Sequence, residues 1–285
     1  MSDGALSIRR GRYRGLSPAG FHEIVYVAWG RAGSLPPVIC VHGLTRNGRD
    51  FDRLAQALAG ERLVVCPDVV GRGQSDWLTD SAGYGYPQYC ADLAALVAHL
   101  GADTVDWIGT SMGGLIGMIL AAQPKTPIRR LLVNDIGPII PHQALQRLAG
   151  YVGKDPAFEN LADLEAYLRQ IHAPFGPLDD DAWHHLARHS HRRLPDGRFG
   201  LAYDPAIGRG FATASAKDVD LTAVWDAVDC PVLLLRGAQS DLLRPETAQV
   251  MAKKARLVEL AGIGHAPSLM VPDQIGIVQG WLSET

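Results

Sequence analysis

Ser111 stands in Gly109-Thr110-Ser111-Met112-Gly113, where an apolar run, 105–108, meets a helix-like run, 112–122. A serine at such a junction is lifted onto a sharp strand-to-helix turn with a strained backbone. Glycine two positions before and after it lets strand and helix approach without clashing side chains. The pattern is a device for exposing one hydroxyl. A serine hydroxyl is a weak nucleophile near neutral pH, so attack on an acyl carbon requires a base within hydrogen-bond reach and an acid to orient that base. Two later loop residues suit those roles. Asp241 ends Arg236-Gly237-Ala238-Gln239-Ser240-Asp241 after an apolar run at 232–235, and His265 lies in Gly262-Ile263-Gly264-His265-Ala266-Pro267 after a run at 257–260. Asp135 also follows an apolar run and is the alternative acid, although a structural hydrogen-bonding role that shapes the entrance to an inserted cap is the preferred reading for it.

Acyl transfer also needs donors for the oxyanion. His42-Gly43 follows the run 38–41 and supplies a loop whose backbone can turn toward the serine. Leu44 N–H and Met112 N–H are the nominated donors, with Gly43 N–H as the alternative to Leu44; one such donor contributes about 3 to 4 kcal/mol of barrier reduction. His42 and Gly43 are also candidate substrate contacts, with shaping of the oxyanion loop the better-supported role for His42.

The elements that must hold these residues follow from periodicity. Short β-branched runs at 38–41, 63–66, 105–108 and 131–133 alternate with helical patterns at 51–58, 89–100 and 112–122. That order predicts a mostly parallel sheet flanked by helices, which binds ligands at the carboxyl ends of its strands. Ahead of it, 8–16 and 21–29 alternate around the turn signal Ser17-Pro18-Ala19-Gly20 and predict an antiparallel edge hairpin. The alternation stops after Asp135 and resumes near Val232. Residues 1–136 and 229–285 are therefore expected to form two parts of one core, with 137–228 a helical cap inserted after the sixth strand, too long to be a loop. Cap helices are expected at 143–148, 161–171 and 182–191, followed in the core by a helix at 245–254, a strand at 256–260 and a helix at 272–282. The cap aromatics Phe158, Tyr167, Phe175, Trp183 and Phe211 suggest an apolar pocket wall, Trp183 being the nominated substrate contact, although each one singly fits a cap core better.

Composition narrows the function classes. A chain of 285 residues with 47% hydrophobic content can bury a large core and is not a disordered segment. A net charge of −3 provides no footprint for nucleic acid or an anionic membrane. The first residues lack the apolar stretch of a signal peptide and no run has the length of a membrane span, which makes a cytoplasmic protein the default expectation. The four cysteines are scattered, arguing against disulfides and a zinc site. His184, His185, His189 and His191 include pairs that share a helix face, but no H-E-x-x-H glutamate accompanies them, so no metal is expected. Gly71-Arg72-Gly73 lacks the third glycine of a dinucleotide fingerprint and reads as a turn beside the site.

With these residues in place the chain resembles the α/β-hydrolase superfamily over nearly its whole length. The motifs are Val41-His42-Gly43-Leu44-Thr45-Arg46-Asn47, Pro67-Asp68-Val69-Val70-Gly71-Arg72-Gly73-Gln74-Ser75-Asp76, Gly109-Thr110-Ser111-Met112-Gly113-Gly114, Asn134-Asp135-Ile136-Gly137-Pro138 and the Asp241 and His265 loops. Within the superfamily it is similar to capped bacterial carboxylesterases. That resemblance implies hydrolysis of a small-molecule ester through an acyl-enzyme, with Ser111, His265 and Asp241 as the triad and no metal or organic cofactor. Ser111 replaces the aspartate that dehalogenases and epoxide hydrolases of this fold carry at the turn. Thr110 and Ala266 replace the asparagine and tryptophan usual in the carbon–carbon bond hydrolases. Those hydrolases, lactonases and cofactor-free haloperoxidases stay open as alternatives, and so does a non-catalytic small-molecule receptor, which would not hydrolyse p-nitrophenyl acetate.

Overall fold

The computed structural model describes residues 8–212 and 217–284. Strands β1 (Arg9–Ser17), β2 (Gly20–Trp29), β3 (Val38–Val41), β4 (Val64–Pro67), β5 (Val105–Thr110) and β6 (Ile128–Asn134) precede a long intervening segment. That segment holds β7 (Ile139–Ile140), α4 (His142–Ala149), α5 (Leu161–Ile171), α6 (Asp180–His189), β8 (His191–Arg193), β9 (Phe199–Leu201), α7 (Arg209–Ala212), β10 (Val219–Asp220) and α8 (Thr222–Asp226). Strand β11 (Val232–Gly237), helix α9 (Pro245–Met251), β12 (Arg256–Leu260) and α10 (Pro272–Ser283) complete the chain; α1 (Asp52–Leu58), α2 (Tyr86–His99) and α3 (Met112–Ala121) lie between the earlier strands.

Eight strands form one sheet in the order β1-β2-β4-β3-β5-β6-β11-β12. Only β2 runs against its neighbours, and every pair from β4 to β12 is parallel. The central strands are buried on both faces, which is why they read as continuous apolar runs rather than alternating ones. Their side chains nevertheless sort by twos. Ile39, Val41, Val65, Trp107, Leu131, Val133 and Leu234 pack with α2, α3 and α9 on one face. On the other, Val38, Cys40, Val64, Cys66, Ile108, Leu132 and Leu233 pack with α1 and α10.

The intervening segment has a core of its own, built from Leu148, Leu164, Leu168, Trp183, Leu186, Phe199 and Tyr203 among others. Its two ends meet where β7 pairs with β10, Ile140 opposite Val219. One expectation fails here. The helix read through 191 stops at His189, and His191–Arg193 instead pairs antiparallel with Phe199–Leu201. The turn between them carries Pro195-Asp196-Gly197 with Gly197 at φ +86°, a hairpin signal that the helical histidine spacing obscured. Among the described residues no helix is long and apolar enough to cross a membrane.

Candidate active site

Ser111 lies between β5 and α3 at φ +52°, ψ −113°, the strained geometry that the glycine spacing requires. A Cβ on Gly109 would come within 2.2 Å of Gly113 O, and one on Gly113 within 2.0 Å of Val41 O. Neither position can carry a side chain without opening the turn. Ser111 N–H donates to Asn134 O at 2.9 Å, tying the turn to the end of the neighbouring strand.

His265 follows β12, and its Nε2 lies 2.9 Å from Ser111 Oγ while its Nδ1 lies 2.8 Å from Asp135 Oδ2. With a carboxylate on Nδ1, that nitrogen carries the proton and Nε2 is the acceptor for the serine hydroxyl. Asp135 is fully buried, sits at φ +59°, and its second oxygen accepts Gly237 N–H at 2.9 Å. The acid expected from sequence is therefore corrected: Asp241 does not reach His265. It forms an ion pair with Arg147 at 2.6 Å, with the two side chains 49% and 43% exposed. Sheet order explains the exchange. Strand β6 lies directly beside β5, whereas β11 is one strand further out, so the residue after β6 is the nearer acid. The end of β11 contributes a backbone N–H instead. The histidine loop lies over it so closely that a Cβ on Gly237 would stand 2.2 Å from Gly264 O. Beyond it, Ser240 Oγ accepts the Leu242 and Leu243 N–H groups in a tight turn, and Asp241 faces outward.

Asn134, to which the sequence motif assigns no role, joins the same loops. Its Nδ2 donates to Thr110 Oγ1 at 3.0 Å and to Pro267 O at 2.8 Å, one residue before Ser111 and two after His265. Two consecutive polar residues, Asn134 and Asp135, at the end of an otherwise apolar strand were the available signal; both are fully buried.

The loop after β3 is held rigidly. His42 is buried; its Nε2 accepts Val69 N–H at 3.0 Å, so its Nδ1–H donates to Gly43 O at 2.7 Å. Burial pushes its pKa down to about 3, and it stays neutral. Arg72 is also fully buried: Nε donates to Leu44 O at 2.9 Å, one terminal nitrogen approaches Met112 Sδ at 3.6 Å, and the guanidinium lies 4.8 Å from the Tyr89 ring centre. It thus touches both residues nominated as oxyanion donors. Met112 opens α3, so its N–H has no acceptor within the helix.

Above Ser111 a cleft is lined by Gly43 and Leu44, by Phe51, and by Leu148, Tyr151, Ile171, His172 and Phe175 of the intervening segment. Gly43 stands 3.9 Å from Ser111 Cβ, measured from the Cβ it lacks. Trp183, the nominated contact, is absent from this lining: α6 turns it into the segment's own core, beneath the Arg169 guanidinium at 5.5 Å. Phe158 and Tyr167 pack there as well, and the side chain of Phe211 lies outside the described residues. Of the five aromatics proposed as a wall, Phe175 lines the cleft, stacked on His172 at 4.5 Å. His172 is a further residue not found from sequence; burial, with Arg46 and His265 nearby, pushes its pKa well down, leaving it neutral.

Away from the cleft, ligating atoms of Asp52, His185 and His189 lie within 4.8 Å of one another. Arg49 occupies that space, with both its Nε and a terminal nitrogen on Asp52 and the other terminal nitrogen 3.3 Å from His189 Nδ1. A cation there would have to expel a guanidinium. His184 points elsewhere, to Glu165 at 2.8 Å.

A mostly parallel sheet with a serine on a strained strand-to-helix turn, and a histidine and a buried carboxylate in series at its carboxyl edge, defines a class of hydrolase. The chain belongs to the α/β-hydrolase family, whose model, described as the alpha/beta hydrolase fold, matches residues 36–269. It is 44% identical over 282 residues to a 3-hydroxybutyrate-oligomer hydrolase of Cupriavidus necator, covering 95% of this chain and 96% of that one. It is 28% identical to an esterase of Mycobacterium tuberculosis over 80% of this chain and 74% of the relative. An alpha/beta hydrolase from Novosphingobium aromaticivorans superposes with a TM-score of 0.88 at 36% identity, covering 98% of this chain and 99% of the other.

Proposed function

We propose that this protein is a serine esterase for short oligoesters of hydroxy acids, with Ser111 as nucleophile, His265 as base and then acid, and Asp135 as the residue that orients the imidazole. The observation that carries the reading is the unbroken series Ser111 Oγ, His265 Nε2, His265 Nδ1, Asp135 Oδ2, with steps of 2.9 and 2.8 Å. The substrate class is taken from the relative named for 3-hydroxybutyrate oligomers.

The reaction follows from these positions. Ser111 Oγ bonds to the acyl carbon as its proton passes to His265 Nε2, and the Asp135 carboxylate offsets the charge of the resulting imidazolium. The carbonyl oxygen becomes an alkoxide that receives the Leu44 and Met112 N–H groups, held in place by Arg72 and His42. When the carbon–oxygen bond to the leaving unit breaks, Nε2–H protonates that oxygen and frees a hydroxyl end. Water then gives a proton to Nε2, attacks the acyl-enzyme and releases the acid, and Ser111 recovers its proton. The intervening segment, 137–228, acts as a cap whose Leu148, Ile171 and Phe175 form the wall against the acyl chain.

Ser111→Ala removes one small hydroxyl, so it is expected to abolish hydrolysis of p-nitrophenyl acetate and of 3-hydroxybutyrate oligomers, and labelling by a fluorophosphonate, with the fold intact. Persistent labelling at another serine, or oligomers untouched by the wild-type protein, would overturn the reading.

A further inference from the structure

The charged residues lining the cleft are Arg46, Asp50 and Arg147. Arg46 is satisfied within it: Nε and Nη2 bind the two oxygens of Asp50 at 2.8 and 2.6 Å, and Nη1 lies 3.4 Å from His172 Nε2. Arg147, on α4 at the rim, is different. Its partner Asp241 is not part of the lining, both side chains stand close to half exposed, and the pair uses Nε and Nη2 of the guanidinium. Tyr151, two positions before Gly153 and one turn beyond Arg147 in the chain, is also in the lining. The cleft thus has apolar walls at Phe51, Leu148, Ile171 and Phe175 and one cation at its mouth whose counter-charge lies outside.

We propose that Arg147 anchors a free carboxylate of the substrate, so that oligoesters are engaged at their carboxyl end. The proposal rests on the esterase reading of Ser111. An ion pair exposed on both partners is weak because water screens it. A guanidinium fork binds a carboxylate through two parallel N–H···O bonds, so an incoming carboxylate can replace Asp241 on the same nitrogens while Asp241 returns to solvent. A neutral ester gains nothing from this exchange and leaves the native pair in place. Asp241, expected from sequence to serve the histidine, becomes the competitor that a substrate carboxylate displaces.

The test compares hydrolysis of the 3-hydroxybutyrate dimer as its free acid and as its terminal primary amide. Wild-type protein is expected to prefer the acid, through a lower KM, and the preference should shrink as salt is added. Arg147→Met should lower the ratio of the two kcat/KM values by about 2- to 5-fold, the scale of one exposed ion pair. Arg147→Lys, which keeps the charge and loses the fork, should retain part of the preference. Asp241→Asn should raise the ratio by removing the competitor. Equal handling of acid and amide by the wild type, or a ratio unmoved by Arg147→Met while both compounds are still cleaved, overturns the anchor and leaves the esterase reading standing. If the wild type cleaves neither compound, the esterase reading falls, and the anchor with it.

Discussion

At the scale of single residues the decisive contact is the 2.8 Å bond between His265 Nδ1 and Asp135. A carboxylate there holds the imidazole in the tautomer whose Nε2 can accept the serine proton, and an amide cannot do so. Asp135→Asn is therefore expected to lower kcat for a p-nitrophenyl ester by about 10⁴, with KM little changed. The same replacement at Asp241 breaks an exposed pair with Arg147 and leaves the tautomer of His265 alone, so that large loss in kcat should be missing. Steady-state kinetics on the two variants decides the matter: a larger kcat loss at Asp241 would return the orienting role to it. Arg72 makes a related point about burial. Its charge has no described carboxylate partner and is held by the carbonyls of Leu44 and Val70, a sulfur and ring faces, which suits a rigid support for the proposed oxyanion donors better than a source of stability.

At the scale of elements, the carboxyl end of β6 organises the site. Asn134 O receives Ser111 N–H, Asn134 Nδ2 spans Thr110 and Pro267, and Asp135 reaches both His265 and Gly237. One strand end thus fixes the loops after β5, β11 and β12 relative to each other. Asn134→Ala keeps the backbone bond to Ser111 and removes both side-chain ties. We expect kcat to fall about 10- to 100-fold, the cost of a displacement on the order of 1 Å between reacting groups, with KM nearly constant. Activity that falls only in proportion to the folded fraction, followed by circular dichroism, would show that Asn134 acts on stability and not on position.

At the scale of the whole molecule, buried histidines give the fold an acid limit. Burial pushes His42 and His189 down to about 3 and His172 well below its ordinary value. The unfolded chain takes up those protons below about pH 6.5 and the native chain does not, so stability is full above that pH and declines as pH falls toward about 3. For His42 alone the loss at pH 5 is about 2 kcal/mol. Asp68 works the other way: burial raises it to about 6, so the native state binds its proton first and recovers about 1 kcal/mol by pH 5. The histidines win. Urea unfolding should show lower stability at pH 5 than at pH 7, with proton uptake on unfolding, and a flat profile would refute the neutral buried imidazoles.

The serine turn, the histidine loop and the sheet were legible because their signals are local. Strand, turn and helix around Ser111 lie within a few residues of each other, and Gly109 and Gly113 are required by contacts within that turn and with the adjoining β3. Apolar runs alternating with helical patterns likewise specify a parallel sheet without knowledge of its strand order. The carboxylate that meets His265 was not legible, since Asp135 and Asp241 each follow an apolar strand and nothing in either loop ranks them. That choice depends on β6 lying between β5 and β11, and on a histidine 130 residues away reaching over the end of β11. The aromatics of the intervening segment could not be sorted from sequence for the same reason. An amphipathic helix shows that Trp183 has a buried face, and only packing determines whether that face meets a cleft or the helix beside it. Local chemistry in the chain thus determined which serine stands on the strand-to-helix turn; which carboxylate meets His265, and which side chains line the cleft, were decided by long-range strand order and packing.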